Sequence, residues 1–464
     1  MWAPIALFVG WSHAAEPWGD AERHSADAAD RAEGVARLYG TLDRGPVLGD
    51  GAPSGALRWA VAPRLDVAVG DAVPVNNGGH LEPGALSTRT GLTAAAAWGP
   101  AELLLSPEIE LDAPFLAVPR IDEAWLGVRA GGWFAGAGRR HRWVGHARHG
   151  ALVRGTDARP PWAVAAGGAG TLPGKAAAAG VFGVGLEVGV LDRPRTDVSD
   201  PGVLLLGLHW APLPAFELGL LRQSVFGGVG RPVDVGQLLL PTEPHVYEDP
   251  DKLLADQDEM AAVEARVTLP LAAWAGGPWR HLEIWWTYAG EDVIGRSLGP
   301  IPYPSLAGVG NLGGAELGVG RLTLSAEWSR LMDDTFRWYV GHRVYHLGFT
   351  QEGRPLGHWG GTDSSTWWGA AAWDAGAWRA RVWVDGARRV GVIEARNDKL
   401  FTFQEDERMI RGGAEVGWSP RPELRVELGA SVESRTNEEF VPGLDAVHAR
   451  GWARGTWTFA GQAR

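Results

Sequence analysis

The sequence predicts an all-β fold, an antiparallel outer-membrane β-barrel of about eighteen strands. Three observations lead to this prediction: alternating apolar and polar side chains, alternating short and long connections, and an unusual composition. In residues 423–433, apolar side chains occupy the even positions, and charged or small side chains occupy the odd ones. Successive strand residues face opposite sides, so such a strand has one apolar and one polar face. The pattern recurs in residues 58–69, 281–288, 321–328 and 378–385.

The N-terminal part of the chain does not alternate. Residues 1–15 predict a signal peptide, because a short apolar run precedes Ser12 and Ala14, two small residues at the spacing that signal peptidase prefers. Residues 16–56 predict a periplasmic segment of one or two short amphipathic helices, followed by a link rich in glycine, proline and aspartate. The barrel is then expected to occupy residues 57–464.

From residue 57 onward, short connections such as Gly99-Pro100 alternate with long ones such as 331–364. Outer-membrane barrels have short periplasmic turns and long outer loops, so both chain ends are expected on the periplasmic side. Long connections are expected at 112–120, 290–312 and 434–446, among others, and one strand is placed within 139–180 by parity alone. The other strands are expected to begin near residues 57, 88, 101, 121, 133, 181, 203, 216, 260, 279, 313, 321, 365, 377, 408, 423 and 447.

The composition agrees with a barrel and excludes other classes. The chain has 66 Gly and 25 Trp among its 464 residues; glycine suits tight turns, and tryptophan favours membrane interfaces. It has 0 Cys, which excludes disulfides and thiolate metal sites. A net charge of −12 disfavours a nucleic-acid binder. A soluble β-protein would need strands with two apolar faces, whereas nearly every strand here keeps a polar one.

The first segment that could carry a function runs from Arg139 to Pro161 and concentrates arginine and histidine in an acidic protein. Guanidinium groups pair with carboxylates, phosphates and sugar hydroxyls, so Arg140, Arg142 and Arg159 are candidate contacts for an acidic polysaccharide. The alternative is that these arginines are neutralised by acidic residues on facing strands.

The second segment, residues 338–363, combines aromatic rings with charged side chains and glycines in an expected outer loop. Sugar C–H faces pack on rings while polar side chains hydrogen-bond the hydroxyl groups. The candidate polysaccharide-binding residues here are Trp338, Tyr345, Arg354, His358, Trp359 and Asp363. The alternative is a loop that folds onto the barrel mouth for structural reasons.

Several motifs, taken in order over about 139–364, resemble the capsule assembly Wzi family of outer-membrane proteins. They are Trp143-Val144-Gly145, Ala158-Arg159-Pro160, Asp256–Pro270, Glu283–Trp286, Ala289–Asp292, Gly313–Glu316, Glu327-Trp328, Trp338-Tyr339 and Tyr345–Asp363. The resemblance implies an eighteen-stranded barrel with a periplasmic helical segment. It also implies binding of capsular polysaccharide without catalysis of its synthesis. The chain departs from the family pattern at Trp143-Val144-Gly145, where the family has Trp-Gly, and at Asp157-Ala158, where it has Asn-Ala.

The expected function is therefore binding of capsular or extracellular polysaccharide at the outer membrane, by a monomer surrounded by lipid. A porin or substrate-selective channel is the alternative. No catalytic residue, cofactor, metal site or nucleic-acid partner is expected. Gly308–Gly313 fits G-x-G-x-x-G but is followed by alternating strands rather than a helix. His141, His146 and His149 match no standard metal-binding spacing.

Overall fold

The computed structural model describes the wall of the barrel, much of its lumen and part of its outer loops. The described residues are 57–70, 86–112, 116–130, 132–172, 174–191, 195–233, 235, 238, 256–298, 301–331, 338–390, 392–394, 401–403, 405–421 and 423–463. The predicted signal peptide at 1–15 and helical segment at 16–56 lie outside these residues and stay predictions.

Eighteen antiparallel strands form one closed barrel, which confirms the predicted fold class. Each strand pairs with the next, and the last pairs with the first, for example Asp66 with Arg454. The strands are β1 Leu57–Gly70, β2 Leu86–Trp98, β3 Ala101–Asp112, β4 Leu116–Ala130, β5 Trp133–Arg139, β6 Trp162–Thr171, β7 Val181–Val190, β8 Gly202–Leu213, β9 Phe216–Phe226, β10 Asp258–Leu269, β11 Trp279–Leu298, β12 Ile301–Val319, β13 Leu322–Leu331, β14 Ser364–Asp374, β15 Trp378–Arg389, β16 Glu407–Arg421, β17 Leu424–Thr436 and β18 Ala446–Trp457 with its continuation Phe459–Ala463.

Smaller elements lie in the connections. A helix at Leu271–Ala275 and a 3-10 turn at Gly174–Ala179 occupy the short-turn end, and a 3-10 turn at Glu438–Phe440 lies at the long-loop end. Two small hairpins, Thr350–Gln351 with Arg354–Pro355 and Val392–Glu394 with Phe401–Phe403, belong to outer loops. Among the described residues, no helix is both long and apolar enough to cross a membrane.

The strands expose their apolar faces and bury their polar faces, the reverse of a water-soluble sheet. In β17, Leu428 and Val432 are 59% and 56% exposed, whereas Glu427 and Glu433 are 5% and 0% exposed. Exposed tryptophans also gather at the short-turn end, where an aromatic belt would meet the membrane interface. They are Trp59, Trp98, Trp133, Trp210, Trp274, Trp279, Trp373, Trp378, Trp418 and Trp457.

Two parts of the predicted strand pattern are wrong. Residues 112–120 were expected to form a long connection, but β4 already begins at Leu116, which pairs with Asp112 of β3. Residues 290–312 were expected to form a long loop, but β11 continues to Leu298 and β12 starts at Ile301, so the two strands project as a hairpin. This hairpin contains Pro302 and Pro304, which lie beyond Asn311, the residue at which the pairing of β12 with β13 begins. Proline is tolerated there because an edge strand has no second ladder to lose. The strand expected within 139–180 is found at Trp162–Thr171.

The exposed face of β17 predicts how substitutions should affect folding into a bilayer. Leu428→Arg should destabilise the inserted barrel by roughly 2–4 kcal/mol, because Leu428 lies near the middle of a lipid-facing strand. Arg425→Leu should cost less than about 1 kcal/mol, since it removes one partly exposed ion pair with Glu427. Urea-dependent folding into lipid vesicles measures both changes, and equal costs would mean that the two faces are misassigned.

Candidate functional site

A segment of the chain leaves the wall and crosses the lumen. Strand β5 ends at Arg139, whose register partner Trp162 begins β6. The intervening residues 140–161, here called the plug, contact inward side chains of widely separated strands. His141 Nε2 lies 3.0 Å from Asp122 Oδ1 on β4, Arg142 Nε lies 2.7 Å from Glu187 Oε2 on β7, and Arg148 Nη2 lies 2.7 Å from Glu283 Oε1 on β11. A segment that reaches all of these strands occupies the lumen.

The centre of the plug is held by carboxylates of the wall. The backbone N–H groups of His149 and Gly150 both donate to Glu327 Oε2 at 2.9 Å, and that of Arg148 donates to the other oxygen. The Arg148 guanidinium also lies over the ring of Trp285, 5.4 Å from its centroid. Charge-assisted bonds of this kind are strong in a region of low dielectric. The arginine and histidine cluster is thus neutralised by facing strands, as the structural alternative for this segment predicted.

A second segment, residues 338–363, lies on the plug and is here called the cap. The Tyr339 hydroxyl donates to the carbonyl of Leu152 at 2.6 Å and accepts from the backbone N–H of His358 at 2.8 Å. The Gly155 N–H donates to the carbonyl of Leu356 at 2.7 Å. A Cβ at position 357 would meet the oxygen of Leu152 at 2.3 Å, so only glycine lets the two backbones approach so closely.

The cap is also fixed to neighbouring outer loops. The Tyr345 hydroxyl donates to the carbonyl of Gly227 at 2.9 Å. Asp197 accepts from the backbone N–H of Leu347 at 2.9 Å, and Arg195 donates to the carbonyl of Thr350 at 2.9 Å. Burial raises the pKa of Tyr345 to about 12, so this hydroxyl stays a donor at physiological pH. The cap therefore has a fixed position over the lumen.

His358 and Trp359 belong to the interior of this assembly. His358 Nδ1 accepts from the N–H of Gly360 at 2.9 Å, and its ring stacks on Trp359 with centroids 5.5 Å apart. Burial lowers the pKa of His358 to about 3, and the charges of His149 and Arg389 act in the same direction. The ring is therefore neutral at physiological pH, as its acceptor role requires.

The predicted polysaccharide-binding residues separate into two groups. Arg354 and Arg159 are partly exposed, with 19% and 20% of their side chains accessible. The others are 7% exposed or less: Trp338, Tyr345, His358, Trp359, Asp363, Arg140 and Arg142. Trp338 and Asp363 contact each other, since Asp363 Oδ1 accepts a hydrogen bond from the backbone N–H of Trp338 at 3.4 Å.

Arg140 and Arg142 lie apart from the cap. Both guanidinium groups lie over the ring of Trp125, 5.6 and 5.4 Å from its centroid. Arg140 Nη1 is also 3.6 Å from Glu102, which is near the short-turn end of β3. Burial and the Arg142 charge lower the pKa of Arg140 well below its ordinary value. These two side chains therefore act inside the lumen and not at the outer surface.

The exposed edge includes residues that the sequence did not single out. Glu352 and Gly353 form the tip of a two-residue hairpin and both have positive φ, 51° and 79°. Glu352 Oε1 lies 3.2 Å from Arg159 Nη1, and Asp157 Oδ1 lies 3.8 Å from Arg354 Nη1. Two ion pairs thus join the edge of the plug to the tip of the cap. The sequence carries no signal for this tip. What marks it is the left-handed backbone of Glu352, and that is visible only in the structure.

Comparisons with known proteins agree with this architecture. The family model described as capsule assembly protein Wzi matches residues 58–449. No curated protein matches the chain in a sequence search. The solved structure of Wzi from Escherichia coli, described as a carbohydrate-binding β-barrel involved in group 1 capsule assembly, is 14% identical with a TM-score of 0.62, over 93% of this chain and 89% of that one. OccK1 (OpdK) of Pseudomonas aeruginosa is 11% identical with a TM-score of 0.50, over 87% of this chain and 99% of that one. At these identities, likeness to a structure shows the fold alone.

The buried neutral histidine predicts that acid loosens the cap. The ordinary pKa of His358 is 6.5 and its pKa in the closed cap is about 3. Between these values an opened cap binds a proton that the closed cap does not, so stability of the closed state falls as pH drops below 6.5. Amide exchange of residues 357–361, corrected for intrinsic rates, should be up to about 30-fold faster at pH 5 than at pH 7.

His358→Asn is the matched control for this measurement. The asparagine oxygen can still accept from Gly360, but it does not titrate. His149, whose pKa burial also lowers, contributes a pH dependence in the same direction to both proteins, so the difference between wild type and variant reports His358. An equally steep pH dependence in the variant would show that His358 is not the group responsible.

Proposed function

The chain belongs to the Wzi family of capsule assembly proteins, and from this premise we propose that it binds capsular or extracellular polysaccharide at the cell surface without catalysing any step of its synthesis. The family and the barrel place the protein in the bacterial outer membrane. In this proposal the protein is a monomer surrounded by outer-membrane lipid.

The filled lumen is the observation that carries the proposal. A porin needs an open path, whereas side chains of the plug contact β4, β7, β11 and β15 at 2.7–3.6 Å, and the longest of these contacts joins His149 to Asp385. The cap adds a second layer that is hydrogen-bonded to the plug. A surface anchor works with a closed barrel, so this architecture favours binding over transport.

The proposed polymer-binding surface is the exposed edge where plug and cap meet. Arg159 and Arg354 are partly exposed, and Arg159 donates to the carbonyl of Ile121 at 2.9 Å as well as to Glu352. A guanidinium group carries five N–H donors, so each can also donate to a sugar hydroxyl or to the carboxylate of an acidic sugar. Glu352 and Asp157 hold the two guanidinium groups in position. Arg354 lies beside the hairpin tip and Arg159 at the edge of the plug, and both side chains are partly exposed.

The buried members of the predicted set support this surface from below. Trp338, Tyr345, His358, Trp359 and Asp363 pack and hydrogen-bond the cap so that Arg354 has a defined position. Preorganisation lowers the entropic cost of binding. Each contact with a polymer is weak, but a long polymer engages many barrels and gains affinity by repetition.

The surface predicts a defect in polysaccharide retention. The double change Arg159→Ala with Arg354→Ala should release polysaccharide from cells into the medium, while heat-modifiable barrel reaches normal levels in the outer membrane. The matched control is Arg129→Ala, since Arg129 Nη2 lies 3.1 Å from Glu102 and 27% of its side chain is accessible, but at the short-turn end. Unchanged retention with normal barrel levels would mean that this edge does not hold the polymer.

The filled lumen also predicts low conductance. Purified protein in a planar bilayer should show little or no steady current, because plug and cap occupy the path between the two solutions. An open porin of known conductance, inserted under the same conditions, checks that insertion is detected. Large ohmic channels from this protein would instead support the alternative function of a porin.

A further inference from the structure

Three metal-ligating side chains meet where the plug touches the wall between β8 and β9. They are His146 of the plug, His209 of β8 and Glu217 of β9, and their ligand atoms all lie within 4.8 Å of one another. His146 Nδ1 is 3.8 Å from Glu217 Oε2, and His209 Nε2 is 3.7 Å from the same oxygen. All three side chains are buried, with 1%, 3% and 2% of their surfaces exposed.

The local backbone explains why these groups converge. The pairing of β8 with β9 shifts between Trp210 and Leu213, and this irregularity lies next to His209. The plug reaches the wall through Gly145, which has φ of 114°, and a Cβ there would lie 2.5 Å from Glu264 Oε1. Only glycine allows this approach, and the next residue is His146.

We infer that His146, His209 and Glu217 bind a transition-metal dication of the zinc class, which fixes the plug to the barrel wall. Two imidazole nitrogens and one carboxylate oxygen are a donor set that zinc-class ions prefer, whereas magnesium and calcium prefer oxygen alone. Ligand atoms around a tetrahedral zinc ion are separated by about 3.4 Å, given bonds of about 2.0–2.1 Å. The separations of 3.7 and 3.8 Å from Glu217 to the two imidazole nitrogens need to shorten by only a few tenths of an ångström. The two nitrogens lie within 4.8 Å of each other, so they would have to approach by up to about 1.4 Å as the ion binds.

The surroundings of Glu217 suit such an ion. Its other oxygen, Oε1, accepts from Arg266 Nη2, while Arg266 Nη1 donates to Glu283 at 3.3 Å. A carboxylate held in this way presents one defined oxygen to a metal, as second-shell partners do in known sites. Glu264 adds a further buried carboxylate beside Gly145, and its nearest described polar contact is Thr287 Oγ1 at 3.2 Å. A dication would therefore enter a wall region rich in carboxylates.

The structural consequence is a further anchor for the plug. Arg142 binds Glu187 on β7, and Arg148 binds Glu283 on β11. The metal would lie between these anchors along the chain and link the plug to β8 and β9. Because the ligands are buried, the ion would be taken up most readily as the barrel folds.

The test uses the full-length protein without a histidine tag. It is unfolded, stripped with a chelator, and refolded in detergent with zinc, cobalt or magnesium chloride. One equivalent of zinc should remain after desalting, and cobalt should show the visible absorption of a nitrogen-ligated ion. The plug amides 143–150 should exchange more slowly in the zinc-loaded protein, and magnesium should have no effect.

His209→Gln and Glu217→Gln should each weaken zinc binding by more than the 10–100-fold that is typical of outer-shell changes. The matched control is His281→Gln, since His281 Nε2 lies 3.1 Å from Glu316 Oε1 on the wall, outside the metal-ligating group. The inference is overturned if wild-type protein refolded with zinc retains none, or if His209→Gln retains one equivalent. If a variant does not fold, the wild-type stoichiometry and cobalt absorption decide the question.

Discussion

The structure depends on neutralisation of charge inside a closed wall. A barrel whose polar faces point inward collects carboxylates in the lumen, here Glu187, Glu283, Glu327 and Asp385, each 7% exposed or less. The plug supplies arginine, histidine and backbone N–H groups to the same carboxylates. Removing one partner of a buried pair leaves an uncompensated charge, which costs more than the pair itself contributes. Plug and wall are therefore stable only together.

Much of the fold could be predicted because the membrane imposes a simple rule on every strand. Alternation located β17 correctly, since a strand between lipid and lumen has no other way to satisfy both sides. Parity of turns placed β6 within 139–180 although glycine and alanine dominate its sequence. The rule failed at 112–120, where β4 already begins at Leu116, and at 290–312, where the β11–β12 hairpin extends past its neighbours.

The candidate site was harder to predict, because residue type does not tell whether a ring faces a polymer or the barrel. Residues 338–363 were identified as a unit, and Arg354 does reach the exposed edge. Tyr345 is buried because its hydroxyl bonds the carbonyl of Gly227, which lies in another connection. Trp338 is buried because its ring lies against Gly310 of β12. Arg140 and Arg142 were predicted to contact an acidic polysaccharide, but β5 ends at Arg139 and the chain turns into the lumen. The group His146, His209 and Glu217 was not predicted, because His146 is far in sequence from the other two and only the fold brings the three side chains together.

The rigid interior of the cap and the proposed binding edge consist of different residues. The interior uses aromatic packing and paired charges to fix the backbone of the cap, at positions where a single cavity or unpaired charge would be costly. The edge exposes a few polar groups, among them Arg159, Glu352 and Arg354, which can change without disturbing that interior. The departures from the family pattern at Val144 and Asp157 both fall on buried residues, which are 2% and 5% exposed. Val144 is buried in the plug, and Asp157 orients Arg354 at the edge.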